Sequence, residues 1–465
     1  MSRLVNKARK KLLGGVIVVS LSCWAQQQGA LAETLESALV KAYGGNPTLN
    51  AQRALLRATD ENVPRAKSGY RPRVSATGDV GASTVTSRGT PGGTGSEDFL
   101  PRGAGVTLNQ NIFDGFRTSN SVRAAESQVF GQREVLRNNE QNTLLDGVTA
   151  YMNVLRDTAT LNLQRNNVEV LQEQLRQTQD RFNVGEVTRT DVAQAEARLA
   201  GARSQESLAQ ANLKSSLARY RQVIGVEPKQ LAPGRSIEKA LPKTLPAAIE
   251  VSQAEHPAIH AALHGVDAAE IQVKVVEGEL YPSLGLQASA AQRYDVQTPG
   301  DERTSASIVA QLTIPIYEGG EVYARTRQAK ETAGQRRLEV DVTRDQVRAA
   351  VVSAWGALEA AKAQITAAQA QVEANEIALN GVREEAKVGQ RTTLDVLNAQ
   401  QELLNSRVSL ISAQRDRVVN SYQLLAAVGR LSARTLALKV EEYDSKRHFE
   451  QVKDKWFGLQ TPDGR

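Results

Sequence analysis

The sequence predicts a mainly α-helical chain with a membrane β-barrel portion, built from a duplicated unit in which a β-strand pair joins a long coiled-coil helical hairpin. Three observations lead there. A turn signature occurs twice, as "RFNVGEVTRTDV" (181–192) and "AKVGQRTTLDV" (386–396). Long stretches carry apolar residues at alternating spacings of three and four, the seam of a coiled coil. Two short runs alternate apolar and polar residues, the mark of strands with two unlike faces.

The chain begins with five basic residues (Arg3, Lys7, Arg9, Lys10, Lys11), an apolar core from Leu12 to Leu21, and Ala30-Leu31-Ala32 before Glu33. Residues 1–32 read as a secretory signal peptide with a small-x-small cleavage site, too short to span a membrane as a helix. Removing them lowers the formal net charge from +6 to +1, so the basic pI resides in the leader and a nucleic-acid partner loses its support. The single cysteine, Cys23, also lies there. Acylation of Cys23 is the competing reading, but Ser20 stands where a lipobox wants an aliphatic residue. The mature chain then has neither disulfide nor thiol chemistry.

Residues 33–431 read as one duplicated domain, with repeats at about 33–228 and 243–431. Val184-Gly185 matches Val388-Gly389, Asp191-Val192 matches Asp395-Val396, and Gly225 matches Gly429, all in constant register. Upstream, Asn46-Pro47 answers His256-Pro257, Arg71-Pro72 answers Tyr281-Pro282, and "LNQNIFDGF" (108–116) answers "LTIPIYEGG" (312–320). A duplication of this extent outweighs the three domains that length alone would suggest.

Each repeat is expected to run helix, two strands, very long helix, turn, helix. In the first strand, Val74, Ala76, Gly78, Val80 and Ala82 share a face opposite Arg73, Ser75, Thr77, Asp79 and Ser83. In the last, Ile308, Ala310, Leu312, Ile314 and Ile316 alternate with Ser307, Val309, Gln311 and Thr313. Such strands suit a barrel with lipid outside and water inside, and "SRGTPGGTGSEDFLPRG" (87–103) suits an exposed hairpin tip. Four strands cannot close a membrane barrel, so several copies must share one. Tyr70, Phe113, Phe116, Tyr281 and Tyr317 gather at the strand ends, as an aromatic girdle or as packing.

The long helix of the second repeat carries Val351, Leu358, Ile365, Val372, Leu379 and Ala386 seven apart, interleaved with Val347, Ala354, Ala361, Ala368, Asn375 and Val382. The seam resumes on the return helix at Leu397, Gln401, Leu404, Val408 and Ile411; the first repeat shows Val168, Leu171, Leu175, Thr178 and Phe182. From Gly320 to Lys387 the helix would measure about 100 Å, against about 55 Å for Thr392–Val428. A shorter helix, Pro257 to about Glu279 or Pro47 to about Lys67, would stack on the return helix to make up the difference.

Within the turns, Gly185 and Gly389 suit the left-handed residue that ends a helix. Thr188 with Asp191, and Thr392 with Asp395, have capping-box spacing, which by itself accounts for both aspartates. His256, His260 and His264 share a helical face at metal-ligand spacing, but His256 before Pro257 marks a helix start, as Asn46 does. No HExxH, phosphate loop or nucleophile–base signature occurs, so neither enzyme nor cofactor is expected.

These features together resemble the TolC family of outer-membrane exit ducts over nearly all of residues 33 to 431. The paired turns carry the resemblance with the junctions "NQNIFDG" and "PIYEGG" and the strands "YRPRVSATGDVG" and "YPSLGLQASA". It implies a homotrimer whose copies give four strands each to a twelve-stranded barrel in the outer membrane, above a helical tunnel in the periplasm. It also implies a periplasmic adaptor and an inner-membrane pump of RND or ABC type, with drugs, toxic compounds or proteins as cargo. The second turn then lies at the periplasmic entrance, where Asp395 would form a carboxylate ring. Asn398 replaces the second acidic ring common in the family. Arg391 corresponds to an arginine that latches the entrance by pairing with the first turn, here Thr190 and Asp191, while the latch tyrosine is replaced by Ala386. The alternative from another class is a periplasmic coiled-coil adaptor without a pore, which needs no amphipathic strands. Residues 432–465 have no counterpart in the first repeat; a strap around the middle of the tunnel is the simplest expectation.

Overall fold

The computed structural model describes residues 32–90, 93–296 and 300–464, so the expected leader and Cys23 lie outside the described residues. The first repeat contains α1 (Leu35–Gly45), α2 (Pro47–Asp60), α3 (Asn62–Lys67), four strands, α4 (Arg117–Asn183) and α5 (Arg189–Ile224). The second contains α6 (Leu245–Glu255), α7 (Pro257–Glu277), two strands, α8 (Glu321–Lys387) and α9 (Thr393–Ala427); α10 (Arg447–Val452) lies in the C-terminal extension. The long helices α4 and α8 have 67 residues each.

The predicted end-to-end stacking is present at both joints. Asn46 caps α2 and donates its amide to the Val223 carbonyl near the end of α5, at 2.9 Å. At the second joint, a Cβ on Gly429 would lie 2.7 Å from the Cα of His256, so the end of α9 abuts the start of α7. The first filler helix is not continuous as expected. Pro64 cannot donate to the Asp60 carbonyl and its ring crowds that turn, so the helix divides at Glu61.

β1 (Arg73–Val80), β4 (Arg102–Phe113), β5 (Ser283–Tyr294) and β6 (Glu302–Thr313) form an antiparallel sheet in the order β1-β4-β5-β6. Its register separates the chemistry by face. Val74, Leu108, Ala288 and Ile308 line up as one cross-strand row, and Ala76, Val106, Ala290 and Ala306 as the next row on that face. Between them, pointing the other way, lies the row Ser75, Thr107, Ser289 and Ser307. Two details differ from expectation. The first strand breaks at Gly81, and the expected loop forms a ribbon in which β2 (Ser83–Thr90) pairs with β3 (Gly93–Phe99), helped by a Thr84–Asp98 hydrogen bond of 2.6 Å. β6 stops at Thr313, because Pro315 has no N–H for a ladder, and leaves Ile314 and Ile316 beyond it.

The seam residues of α8 are all buried or half-buried, with Val351, Ala354 and Leu358 meeting Leu424, Val428 and Ala248. α9 is covered on two sides instead of one. Val396 and Leu403 face α8 through Leu379, whereas Leu397 packs between Val168, Leu171 and Leu199 of the first hairpin. The two hairpins are thereby fused along their lower length. In the middle of the molecule α1 closes the bundle, and the buried Tyr151 hydroxyl bonds with the Glu33 and Ala232 carbonyls, both at 2.7 Å.

The C-terminal extension does not circle the middle as expected. It starts there with Ala433 among Tyr43, Leu49 and Leu136, then climbs along α2 and α3 to the foot of β1. His448 meets the buried Asp60 at 3.0 Å, and Phe449 joins Val63, Ala125 and Val129. Apolar fit and this polar contact make the tail part of the folded body.

Candidate functional site

The two helical bends are built alike, because their local sequences supply the same stop and start. At the first, Gly185 has φ +80, its N–H bonds to the Phe182 carbonyl at 3.0 Å, and the Glu186 N–H bonds to the Arg181 carbonyl at 2.9 Å. At the second, Gly389 has φ +80, with the matching bonds to Ala386 and Glu385 at 3.3 and 2.9 Å. These are Schellman endings, which a residue with a side chain would strain. Four residues of turn then lead into a full capping box in each case. Asp191 accepts from the Thr188 N–H at 2.9 Å and Asp395 from the Thr392 N–H at 3.0 Å, while each threonine oxygen accepts the aspartate N–H in return.

These bonds set the charge of both aspartates. Hydrogen bonds from the Thr188 side chain and backbone hold the Asp191 carboxyl below the usual range. Asp395 is likewise lowered, first by the Thr392 N–H and then by the Thr392 hydroxyl. Both are therefore carboxylates near neutral pH. The ring of mutually raised carboxylates expected of an assembled entrance involves neighbouring copies, and within one chain the cap dominates.

Arg391 does not reach Thr190 or Asp191 within its own chain. Its guanidinium bonds to Glu385 at 2.8 Å across the bend, and the pair is about half exposed. Thr190 is exposed in the first turn of α5. The first bend carries an equivalent bracket of opposite polarity, Arg181 to Glu186 at 3.0 Å. Each tip is thus closed by a cross-turn ion pair, and exposed pairs of this kind add little stability.

Asn398 accepts a hydrogen bond from Arg198 at 2.7 Å, joining α9 to α5. The position where a second acidic ring was in question is therefore neutral and beside a cation. Next to it, Gln400 reaches Asn167 at 3.3 Å, and Leu397 is 2% exposed. Ala386 sits half-buried against the Leu379–Val396–Leu403 cluster. Sequence reasoning missed Arg198 and Glu385. Arg198 offered no signal, lying about two and a half turns into α5, and Glu385 lay six residues before Arg391 with the turn between them.

The histidine face does not form a joint site. His256 caps α7, its Nδ1 accepting the Ala258 N–H at 3.2 Å, while His260 Nε2 meets the Ala254 carbonyl at 2.9 Å and His264 lies 3.4 Å from Asp267. Among the described residues no group of three or more His, Cys, Asp or Glu is placed to hold a metal ion.

At the other end of the molecule the sheet leaves its apolar rows exposed: Val74, Ile308 and Leu312 are 65%, 76% and 60% exposed. Among the described residues β1 and β6 have no partner on their outer edges. β4, β5 and β6 have 12 residues each, enough for the 9 to 11 that a tilted membrane strand requires. Among the described residues no helix is long and apolar enough to cross a membrane.

Comparison with known proteins agrees with this geometry. The family model of the outer membrane efflux protein matches residues 38–226 and 248–430, one segment in each repeat. The chain is 46% identical to the outer membrane efflux protein BepC of Brucella suis biovar 1, over 100% of both chains. It is 27% identical to the outer membrane protein TolC of Escherichia coli strain K12, covering 92% of this chain and 88% of that protein. It is also 27% identical to the alkaline protease secretion protein AprF of Pseudomonas aeruginosa, covering 73% and 72%. Among solved structures, the Campylobacter jejuni CmeC outer membrane channel has the same fold, with a TM-score of 0.77 over 90% of this chain and 89% of that one, at 18% identity. With the duplicated hairpins, the two-faced sheet and a family model matching both repeats, the chain belongs to the outer membrane efflux protein family.

Proposed function

We propose that three copies of this chain form one exit duct, pooling their sheets into a twelve-stranded barrel in the outer membrane and their hairpins into a periplasmic tunnel. The observation that carries this reading is the open sheet, which exposes an apolar face and whose two edges are unpaired among the described residues. Unpaired edges cannot remain in lipid, where each unmet N–H or carbonyl costs several kcal/mol, roughly. Closure by symmetric repetition removes every edge at once. Residues 33–431 act as the duplicated channel domain, and the hairpin tips form the periplasmic entrance, with Asp395 ringing it and Arg391 free to exchange Glu385 for the first bend of a neighbouring copy.

The duct receives cargo from an inner-membrane pump of RND or ABC type through a periplasmic adaptor. Similarity along the whole length of BepC, an outer membrane efflux protein, favours efflux, for which we propose drugs and toxic compounds as the cargo. The weaker similarity to AprF supports protein secretion as the second reading. A poreless periplasmic adaptor has no use for the apolar sheet face, and family membership counts against it.

Fractionation tests the channel reading. An outer-membrane protein that runs as a trimer before boiling and as a monomer after it is expected; a soluble periplasmic protein overturns it. For cargo, a deletion strain should accumulate ethidium, and retention of a normally exported protein without dye accumulation would favour secretion instead.

A further inference from the structure

The chain contains, between its own repeats, a template for how one copy meets the next. After β4 the chain bends at Gly115 (φ +68) and Phe116 (φ +63) to enter α4. This elbow sits directly on the turn preceding β5: a Cβ on Gly115 would collide with the Gly278 carbonyl and lie 3.0 Å from the Tyr281 Cβ. The second repeat makes the same elbow after β6, with Gly319 at φ +67 and Gly320 at φ +87. Around those two glycines a Cβ would meet nothing within 4 Å, and the adjoining Ile316 and Tyr317 are 95% and 80% exposed. The elbow is formed, and its seat is missing.

When the β6 edge of one copy pairs with the β1 edge of the next, the duplication dictates the seat. It is the turn preceding β1 (Ser68–Tyr70), in which Arg71 occupies the place that Tyr281 has within the chain. Arg71 is also where the C-terminal tail ends its climb. Its Nη1 bonds to the Lys455 carbonyl at 2.8 Å and its guanidinium lies 4.7 Å from the Trp456 ring centroid. Lys67 holds Asp454 at 2.7 Å beside it. Beyond that anchor, Trp456, Phe457 and Leu459 are 64%, 88% and 102% exposed, a cluster of large apolar side chains on an otherwise polar terminus.

We propose that Trp456, Phe457 and Leu459 cover the Ile316–Tyr317 elbow of the neighbouring copy, making the C-terminal tail a clasp between subunits. The occupant is a second copy because the seat residue, Arg71, already carries the tail on one side and by the internal template meets the neighbour's Gly319 on the other. The tail is found only at this turn and not at the one preceding β5, so it marks the seam between copies and leaves the seam between repeats bare. The clasp rests on the trimeric reading above.

The test uses cysteine pairs in the full chain, whose only native cysteine lies in the leader. Phe457→Cys with Tyr317→Cys, and Trp456→Cys with Ile316→Cys, are oxidised in outer-membrane fractions and run boiled without reductant. A ladder up to the covalent trimer is expected from the double variants, and none from the four single ones. Ser289→Cys with Ser307→Cys, which face each other across β5 and β6, reports that oxidation has worked. An unboiled trimer with no ladder from either pair overturns the clasp alone; an unboiled monomer overturns the trimer on which it rests. In a Trp355→Phe background Trp456 is the sole tryptophan of the mature chain, and strong quenching of its emission by brominated phospholipid would make lipid the occupant and overturn the proposal.

Discussion

Acid should loosen the joint between α9 and α7 through a single side chain, His256. The residue is 9% exposed, its Nδ1 accepts the Ala258 N–H, and Gly429 of the opposing helix end packs against its Cα. Burial, with a smaller contribution from His260, lowers its pKa below the ordinary 6.5. Protonation turns the accepting nitrogen into a donor and puts a positive charge at a helix N-terminus. Losing the cap costs about 1 kcal/mol and the misplaced charge up to about 1 more, so roughly 2 kcal/mol per copy is at stake. Because the folded pKa is the lower one, this stabilisation is complete above about pH 6.5 and is lost as pH falls through the window beneath it. The Glu255–Arg430 pair that spans the same joint does not titrate there, since Arg430 holds the Glu255 carboxyl below its usual range. The control is written in the first repeat, where Asn46 caps α2 by accepting the Thr48 and Leu49 N–H groups without a titratable ring. The assay is the heat-dissociation midpoint of the purified oligomer from about pH 8 to about pH 5, for the natural protein and His256→Asn. The natural protein should lose stability more steeply below about pH 6.5. Parallel curves would refute the reasoning.

Three further outcomes are expected. Arg391→Ser, which removes the cross-turn bracket with Glu385, should raise single-channel conductance in planar bilayers; unchanged conductance counts against a gate at the second bend. Asp395→Ala should reduce cation selectivity measured as a reversal potential under a salt gradient, and Asn398→Asp should increase it by adding a second acidic ring beside Arg198; failure of both removes the entrance from the selectivity of the duct. Leu358→Ala, at a position 3% exposed in the cluster joining α6, α8 and α9, should cost about 2–5 kcal/mol per copy and lower the dissociation temperature, whereas the exposed Ile377→Ala on the same helix should leave it unchanged.

The features legible in the sequence were those decided by neighbours along the chain. A glycine stop and a threonine-x-x-aspartate start need only their own turn, so both bends could be read to the residue. The seam of α8 was legible because a helix buries one stripe against one partner. α9 was harder, since Leu397 and Val396 are adjacent in sequence yet face different hairpins, and one-dimensional periodicity cannot assign two partners to one helix. The β2–β3 ribbon was missed because serine, threonine and glycine serve loops and polar strands equally. Arg391 was matched with the first bend, while the nearer Glu385 takes it within the chain: the turn brings residues six apart face to face, and spacing rules for a continuous helix do not describe that geometry. The course of the tail depended on a buried aspartate–histidine contact between positions 60 and 448, a distance no local pattern spans.

The two stacked joints have a mechanical consequence. At the first a return helix of 36 residues meets its filler helix through the Asn46–Val223 hydrogen bond, and at the second one of 35 residues does so through His256 and Gly429, without continuous backbone between them. Such a column is stiff under compression but can pivot where its halves touch. With an arm of about 54 Å, a rotation of about 10° at the joint would carry the bend through about 9 Å. Displacement of the bends therefore requires little rearrangement at the fulcrum, and the sheet at the other end can stay still while the tips travel.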